Sequence, residues 1–287
     1  MRLWEKAKLQ GTWNPSEIDY AADRARWVAL SGEVRDGLRY LCTLFRAGER
    51  AVTMHLAPLI HVVASEDRVE EVVYLSSFLW EEAKHLDLFN RFFADVCRDA
   101  GDEGQQDDAY RTILDEELRN SMERLLTDNS PAAQVRASVT YHLVIEGVMA
   151  EAGYRLFELM TRESGGLPEM QRAITLLHRD ESRHIAFGIY FLSRLISEHG
   201  RPAYRALFDR MNELKPLTEA ATRQFVRSLR GRGFTSDEDE LIRWSRQQFE
   251  TRMRRIAQAR TQRPADFDAA AAPDGDVGDV VRARGLR

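Results

Sequence analysis

Glutamates and histidines occupy inward positions on the longest predicted helices, where apolar side chains would be expected. Two Glu-x-x-His motifs, Glu82–His85 and Glu181–His184, each follow a further glutamate on a separate predicted helix, Glu49 and Glu146. Three residues on an α-helix correspond to about 300° of rotation, so each Glu and His project from one face. A buried carboxylate is costly unless it is paired or bound to a metal, and here four would share one core. Their mutual repulsion would raise several pKa values and leave those groups neutral, unless cations sat between them. The fold must therefore bring these helices together around something positively charged.

One glutamate from each of two helices, plus Glu-x-x-His from each of two others, is the ligand pattern of di-iron and di-manganese carboxylate bundles. Chance alone gives about half a Glu-x-x-His match for seven histidines, because glutamate is roughly one residue in twelve. Two matches would only be suggestive. Their order, spacing and shared helix faces favour a metal site over surface Glu–His pairs. Four carboxylates and two imidazoles without a thiolate suit iron or manganese and argue against structural zinc. Six protein ligands shared by two metals leave open positions, where oxygen or another small molecule can bind, so the expected centre is a redox one. Anionic oxygen donors also stabilise high oxidation states.

The remainder of the sequence fits a helical protein. Its 287 residues can bury a sizeable core. We expect one domain over residues 1–262 and a flexible tail over 263–287, where Ala, Asp and Gly cannot bury enough apolar surface to fold. With 30% charged residues and a net charge of −5, no global case for nucleic acid arises. No apolar run reaches the roughly eighteen residues of a membrane span. The N-terminal residues lack the apolar stretch of a secretory signal. Cys42 and Cys97 read as buried thiols rather than a disulfide, which by default implies the cytoplasm.

Helix signals are clear and strand signals nearly absent, so the expected class is all-α: a four-helix core with additional outer helices. Asn14-Pro15 should start a first helix. A long helix over about residues 33–64 carries Leu38, Leu41, Phe45, Glu49, Val52 and Leu56 on one stripe, with Pro58 bending or breaking its last turns. Ser65 should cap the next helix, whose stripe reads Val72, Leu75, Leu79, Glu82, Leu86, Phe89 and Phe93 and which ends near Gly101. A polar helix follows from about Asp107. Ser130-Pro131 begins a third core helix, with Val135, Val139, Glu146, Met149 and Gly153 inward. After Gly165-Gly166-Leu167-Pro168, a fourth runs through Ile174, Leu177, Glu181, His184, Gly188, Phe191 and Leu195. Gly200-Arg201-Pro202 opens another helix, and Thr235-Ser236-Asp237-Glu238 reads as a capping box before the last.

Four segments resemble the ligand-binding oxidases related to the ribonucleotide reductase small subunit. They are Ala47-Gly48-Glu49-Arg50-Ala51-Val52-Thr53, Phe78-Leu79-Trp80-Glu81-Glu82-Ala83-Lys84-His85, Tyr141-His142-Leu143-Val144-Ile145-Glu146-Gly147 and Arg179-Asp180-Glu181-Ser182-Arg183-His184. The resemblance spans roughly residues 1–262. It implies a ferritin-like fold, a homodimer, a mixed manganese–iron centre reacting with O2 (di-iron being possible) and a long-chain fatty acid bound at the metals. It places Glu49, Glu82 and His85 on one metal and Glu146, Glu181 and His184 on the other, with some glutamates bridging.

The resemblance also implies an ether cross-link between Val52 and Tyr141. Val52 follows Glu49 by three residues and lies on the same face. Tyr141 precedes Glu146 by five, about 140° away on an ideal α-helix, so the phenol must reach round or the helix must carry a π-type bulge. Asp180 matches the reductase aspartate that orients a metal-bound histidine, here His85; such outer carboxylates are common around metal ligands. Phe89 stands where many reductase small subunits carry their radical tyrosine, and a phenylalanine forms no stable phenoxyl radical. Nor does the tail from Ala269 onward contain a tyrosine or tryptophan.

His55, His61, His142, His178 and His199 read as solvated or locally hydrogen-bonded, with His142 set apart by its neighbour Tyr141. The arginine-rich stretch 223–263 reads as the wet side of outer helices. The expected function is therefore a non-haem dimetal oxidase, acting on a hydrophobic ligand with O2 and an electron donor still to be identified. The alternatives are a reductase small subunit supplying a radical to a partner, and a metal-dependent lipid-binding or iron-handling protein.

Overall fold

The computed structural model describes residues 2–99, 101, 107–163, 165–232, 234 and 237–261. Among them every regular element is helical. The tail expected over 263–287 lies outside the described residues, as do Thr235 and Ser236.

Four core helices follow the expected order. They are α3 (Gly32–His55), α5 (Val69–Arg91), a composite of α8 (Pro131–Ser138), a π-helical segment (Val139–Ala150) and α9 (Glu151–Glu163), and α10 (Pro168–His199). Helix α3 packs along α5, the π segment along α10, and α9 closes against α3. Around them lie α1 (Arg2–Gln10), α2 (Ala21–Ala29), α4 (Ala57–Ser65), α6 (Asp108–Arg111), α7 (Arg119–Arg124), α11 (Arg201–Arg230) and α12 (Glu238–Gln258). Leu38, Leu41, Phe45, Val52 and Leu56 of the α3 stripe are all buried, as anticipated. None of the described helices is long and apolar enough to cross a membrane.

Several boundaries differ from expectation, each for a local reason. Asn14 does cap, its side chain accepting from the Ser16 amide at 3.0 Å, but it starts only the three-residue turn Pro15–Glu17. The nearest longer helices are α1, which sequence reading missed, and α2. The helix expected to run to Ala64 stops at His55, and α4 restarts at Ala57 with Pro58 in its first turn, where the missing amide is tolerated. Ser65 is not a cap: its hydroxyl donates back to the Val62 carbonyl at 2.7 Å and it closes α4. The reversal into α5 is made by Asp67 in the left-handed region (φ 57°). Ser130 caps α8 as expected, accepting from the Ala133 amide at 3.3 Å. Asp237 caps α12, accepting from the amides of Asp239 and Glu240.

The π segment sets how Tyr141 and Glu146 are displayed. Residues five apart in a π-helix are hydrogen-bonding neighbours and lie much closer to one face than they do in an α-helix. Tyr141 and Glu146 therefore share a face. Arg252 of α12, buried despite lying in the arginine-rich stretch, donates from its guanidinium to the Gly147 carbonyl and stands 3.7 Å from Glu151.

Candidate metal centre

Glu49 comes from α3, Glu82 and His85 from α5, Glu146 from the π segment, and Glu181 and His184 from α10; all six are buried. Each histidine turns Nδ1 inward. His85 Nδ1 lies 3.2 Å from Glu181, 3.5 Å from Glu49 and 3.9 Å from Glu82. His184 Nδ1 lies 3.2 Å from Glu82, 3.5 Å from Glu181 and 3.7 Å from Glu146. Two overlapping groups result, Glu49–Glu82–His85–Glu181 and Glu82–Glu146–Glu181–His184, each with its donor atoms within 4.8 Å of one another. Glu82 and Glu181 belong to both groups.

The two imidazoles are held from behind. His85 Nε2 is 3.1 Å from Asp180 Oδ2, and His184 Nε2 is 2.9 Å from Glu81 Oε2. A neutral imidazole that donates Nε2–H outward keeps its Nδ1 lone pair facing inward, the arrangement a metal ligand needs. Trp13 Nε1 donates to Asp180 Oδ2 at 2.8 Å, and its indole is stacked 6.1 Å from the His85 ring. Lys84 Nζ lies 2.7 Å from Asp180, while Phe78 stacks 3.6 Å from His184.

The charge of the inner cluster is poorly matched by protein groups alone. Burial pushes Glu49 and Glu146 well above the ordinary carboxylate range. Burial also acts on Glu181, but His184 and His85 outweigh it and bring Glu181 down to about 2. For the histidines burial works in the other direction, and the surrounding carboxylates outweigh it to raise both. Glu82 Oε2, His85 Nδ1, both oxygens of Glu146, Glu181 Oε2 and His184 Nδ1 are buried without a hydrogen-bond partner. Donor atoms left unsatisfied at the centre, with satisfied atoms behind them, are what a bound cation would complete. Two divalent cations would neutralise four carboxylates. The residues fit a dimetal group.

Tyr141 is fully buried, and its hydroxyl donates to Glu82 Oε1 at 3.3 Å. Val52 lines a cavity of about 60 Å³ with the four inner glutamates at one end and Leu41, Phe45, Tyr110, Met149 and Phe225 beyond them. A second cavity of about 510 Å³ opens between α11, α12 and the π segment, lined by Val148, Met211, Phe249 and Met253. Thr222 lines both. Phe89 is buried against Phe45, with ring centroids 5.2 Å apart.

Sequence reading missed Glu81, Lys84, Arg183 and Trp13. A signal for the first three existed, since an acid precedes Glu82 and Glu181 and a base precedes His85 and His184 in both motifs. Trp13, far away in sequence, gave none. Of the remaining histidines, His142 is fully buried with Nδ1 3.0 Å from Ser138 Oγ, and burial lowers its pKa to about 3, so it stays neutral. His178 finds its partner on another helix, Glu151 at 2.9 Å.

A family model described as "Ribonucleotide reductase, small chain" matches residues 1–231. Among solved structures, a valine-to-leucine variant of an R2-like ligand-binding oxidase with anaerobically reconstituted Mn/Fe cofactor is similar, with a TM-score of 0.84. The identity is 34%, over 91% of this chain and 93% of that one. A valine-to-isoleucine variant with the same cofactor treatment gives 0.80 at 35%, over 91% and 93%. An R2-like ligand-binding oxidase with aerobically reconstituted Mn/Fe cofactor gives 0.80 at 34%, over 89% and 91%.

Proposed function

The chain belongs to the ribonucleotide reductase small-chain family, among its R2-like ligand-binding oxidases, and we propose that it oxidises a hydrophobic ligand at a manganese–iron centre using O2. The observation that carries this reading is the double use of Glu82 and Glu181 between two inward-facing imidazoles. Glu49, Glu82, His85 and Glu181 would hold one metal, and Glu82, Glu146, Glu181 and His184 the other. Asp180 and Glu81 would fix the rings that face them. The metal pair would couple reduction of O2 to removal of two electrons from a substrate. The electrons for later turnovers would come from an external donor, and the working unit would be a homodimer.

Within the protein, Tyr141 and Val52 would be the first substrates. Tyr141 would lose its O–H hydrogen and Val52 its Cβ–H hydrogen. A C–O bond would form between them, and O2 would take up the two electrons and two protons. Glu82 Oε1, already accepting from the phenol, is the nearest base for its proton. Burial holds that phenol well above its usual pKa, so it would keep its proton until it is oxidised and pass it to Glu82 as the electron leaves.

For the external ligand we propose a long-chain fatty acid. The inner cavity of about 60 Å³ is far below the roughly 300–1,000 Å³ of typical ligand sites, and could take only the acid end. The outer cavity of about 510 Å³ would take the tail if the chain passed Thr222. Extraction of purified protein under denaturing conditions, followed by mass spectrometry, should release a long-chain fatty acid at a near-equal ratio to protein. Empty extracts from metal-loaded protein would remove the fatty acid and leave the metal site standing.

The reductase reading keeps one observation in its favour, the hydrogen-bonded series Trp13–Asp180–His85. Phe89 weighs against it, because it supplies no oxidisable phenol beside the centre.

A further inference from the structure

The two Glu-x-x-His motifs are the inner part of a longer repeat. Glu81-Glu82-Ala83-Lys84-His85 and Asp180-Glu181-Ser182-Arg183-His184 both read acid, glutamate, small residue, base, histidine. Four residues apart on an α-helix, the acid and the histidine of each segment lie on one face, yet neither acid is the partner of its own histidine. Packed together, α5 and α10 cross these roles: the acid of α10 holds the histidine of α5 at 3.1 Å, and the acid of α5 holds the histidine of α10 at 2.9 Å. Arg183 joins the two acids, with its Nη2 2.6 Å from Glu81 Oε1 and 2.5 Å from Asp180 Oδ1. Glu81, Asp180 and the Arg183 side chain are all at least nine-tenths buried. The crossed halves are unequal, because Asp180 also accepts from Trp13 and pairs with Lys84.

We propose that Glu81 is the positioning residue of His184, and that Arg183 holds Glu81 and Asp180 in place behind the two imidazoles. This rests on the dimetal reading above. Glu81 has no donor atom in either inner group, so it acts through His184. A carboxylate that accepts Nε2–H fixes which nitrogen keeps the inward lone pair and makes that nitrogen a better donor to a metal. Arg183 supplies the positive charge without which two buried carboxylates 2.5–2.6 Å from the same guanidinium nitrogen would repel each other. A lysine cannot reproduce this, since its stem is shorter and it has no second nitrogen to keep the bonds that Arg183 Nη1 makes to the Arg179 carbonyl and Gln10.

The test is an anaerobic titration of the full chain with manganese(II) alone, counting free ion by electron paramagnetic resonance. Wild-type protein should bind two ions. Glu81→Gln, close in shape, should weaken one of the two sites by about 10–100-fold, the usual effect of losing a residue behind a metal ligand, and leave the other within about threefold. In a His184→Ala background one site should remain. There Glu81→Gln should have no further effect, while Asp180→Asn should weaken that site about 10–100-fold. Equal weakening of both sites by Glu81→Gln, or wild-type affinity at both, would overturn the proposal. Failure of wild-type protein to bind two ions would instead strike the dimetal reading. If Glu81→Gln does not fold, Arg183→Lys decides: it should weaken both sites, and unchanged affinities would refute the role given to Arg183 and the two acids.

Discussion

Protein loaded with manganese and iron in air should be lighter than its sequence mass by two hydrogens, and protein loaded without oxygen should keep its full mass. The change is small in daltons but all-or-none in population, since each chain either carries the new C–O bond or does not. Peptide mapping should find the loss on a linked pair containing Val52 and Tyr141. The structure supports the pairing from both sides: Val52 lines the cavity that ends at the inner glutamates, and the Tyr141 hydroxyl reaches Glu82 Oε1 at 3.3 Å. Tyr141→Phe removes the oxygen and should abolish the mass loss. It should leave metal content unchanged, because the substitution keeps all four glutamates and both histidines of the inner groups. If aerobically loaded protein shows no mass change, the cross-link is withdrawn and the metal site survives.

Gly188→Ala should cost the protein a large part of its stability by overpacking the core. A Cβ at Gly188 of α10 would collide with His142 Cβ and lie 2.6 Å from His142 Cγ. Those atoms sit at the root of the side chain, so no rotamer change relieves the clash and the π segment itself must move. Overpacking of a core typically costs about 1–3 kcal/mol, and a contact this short belongs at the upper end. A fall in melting temperature of roughly 5–10 °C is expected. His142 adjoins Tyr141, so the same variant should also lower the yield of cross-link. Scanning calorimetry of metal-free protein checks the first part, and an unchanged melting temperature would show that the helices separate more easily than their packing suggests.

The legible part of this molecule was whatever repeats along a helix. Leu38, Leu41, Phe45, Glu49, Val52 and Leu56 recur at helical spacing, and all six are buried. The same periodicity placed Glu82, Glu146, Glu181 and the two histidines inward, and the structure gathers them around one centre. Tyr141 could be read as needing either a phenol that reaches round or a π-type bulge, because five residues do not share a face on an α-helix. The π segment Val139–Ala150 provides it.

The illegible part depends on partners far apart in sequence. Glu81 and Lys84 received no role from the sequence, yet both are buried, where Arg183 and Asp180 arrive from α10. Trp13 is 167 residues from the aspartate it contacts. Arg252 looked like part of a wet arginine-rich surface but reaches inward to the Gly147 carbonyl. The errors at Ser65 and Asn14 were of another kind. Both residues have capping chemistry, but what a serine or asparagine caps depends on whether the chain turns after it, and Asp67 and Ile18 made those turns.

Two redox-active metals held by six buried residues form the core of the account, and metal content measures this most directly. Protein from cells grown with both iron and manganese should carry close to two transition-metal ions per chain, one manganese and one iron. Glu146→Ala should lose at least one of them, since both Glu146 oxygens are buried with no other partner. Zinc as the sole metal, or two ions fully retained in Glu146→Ala, would contradict it.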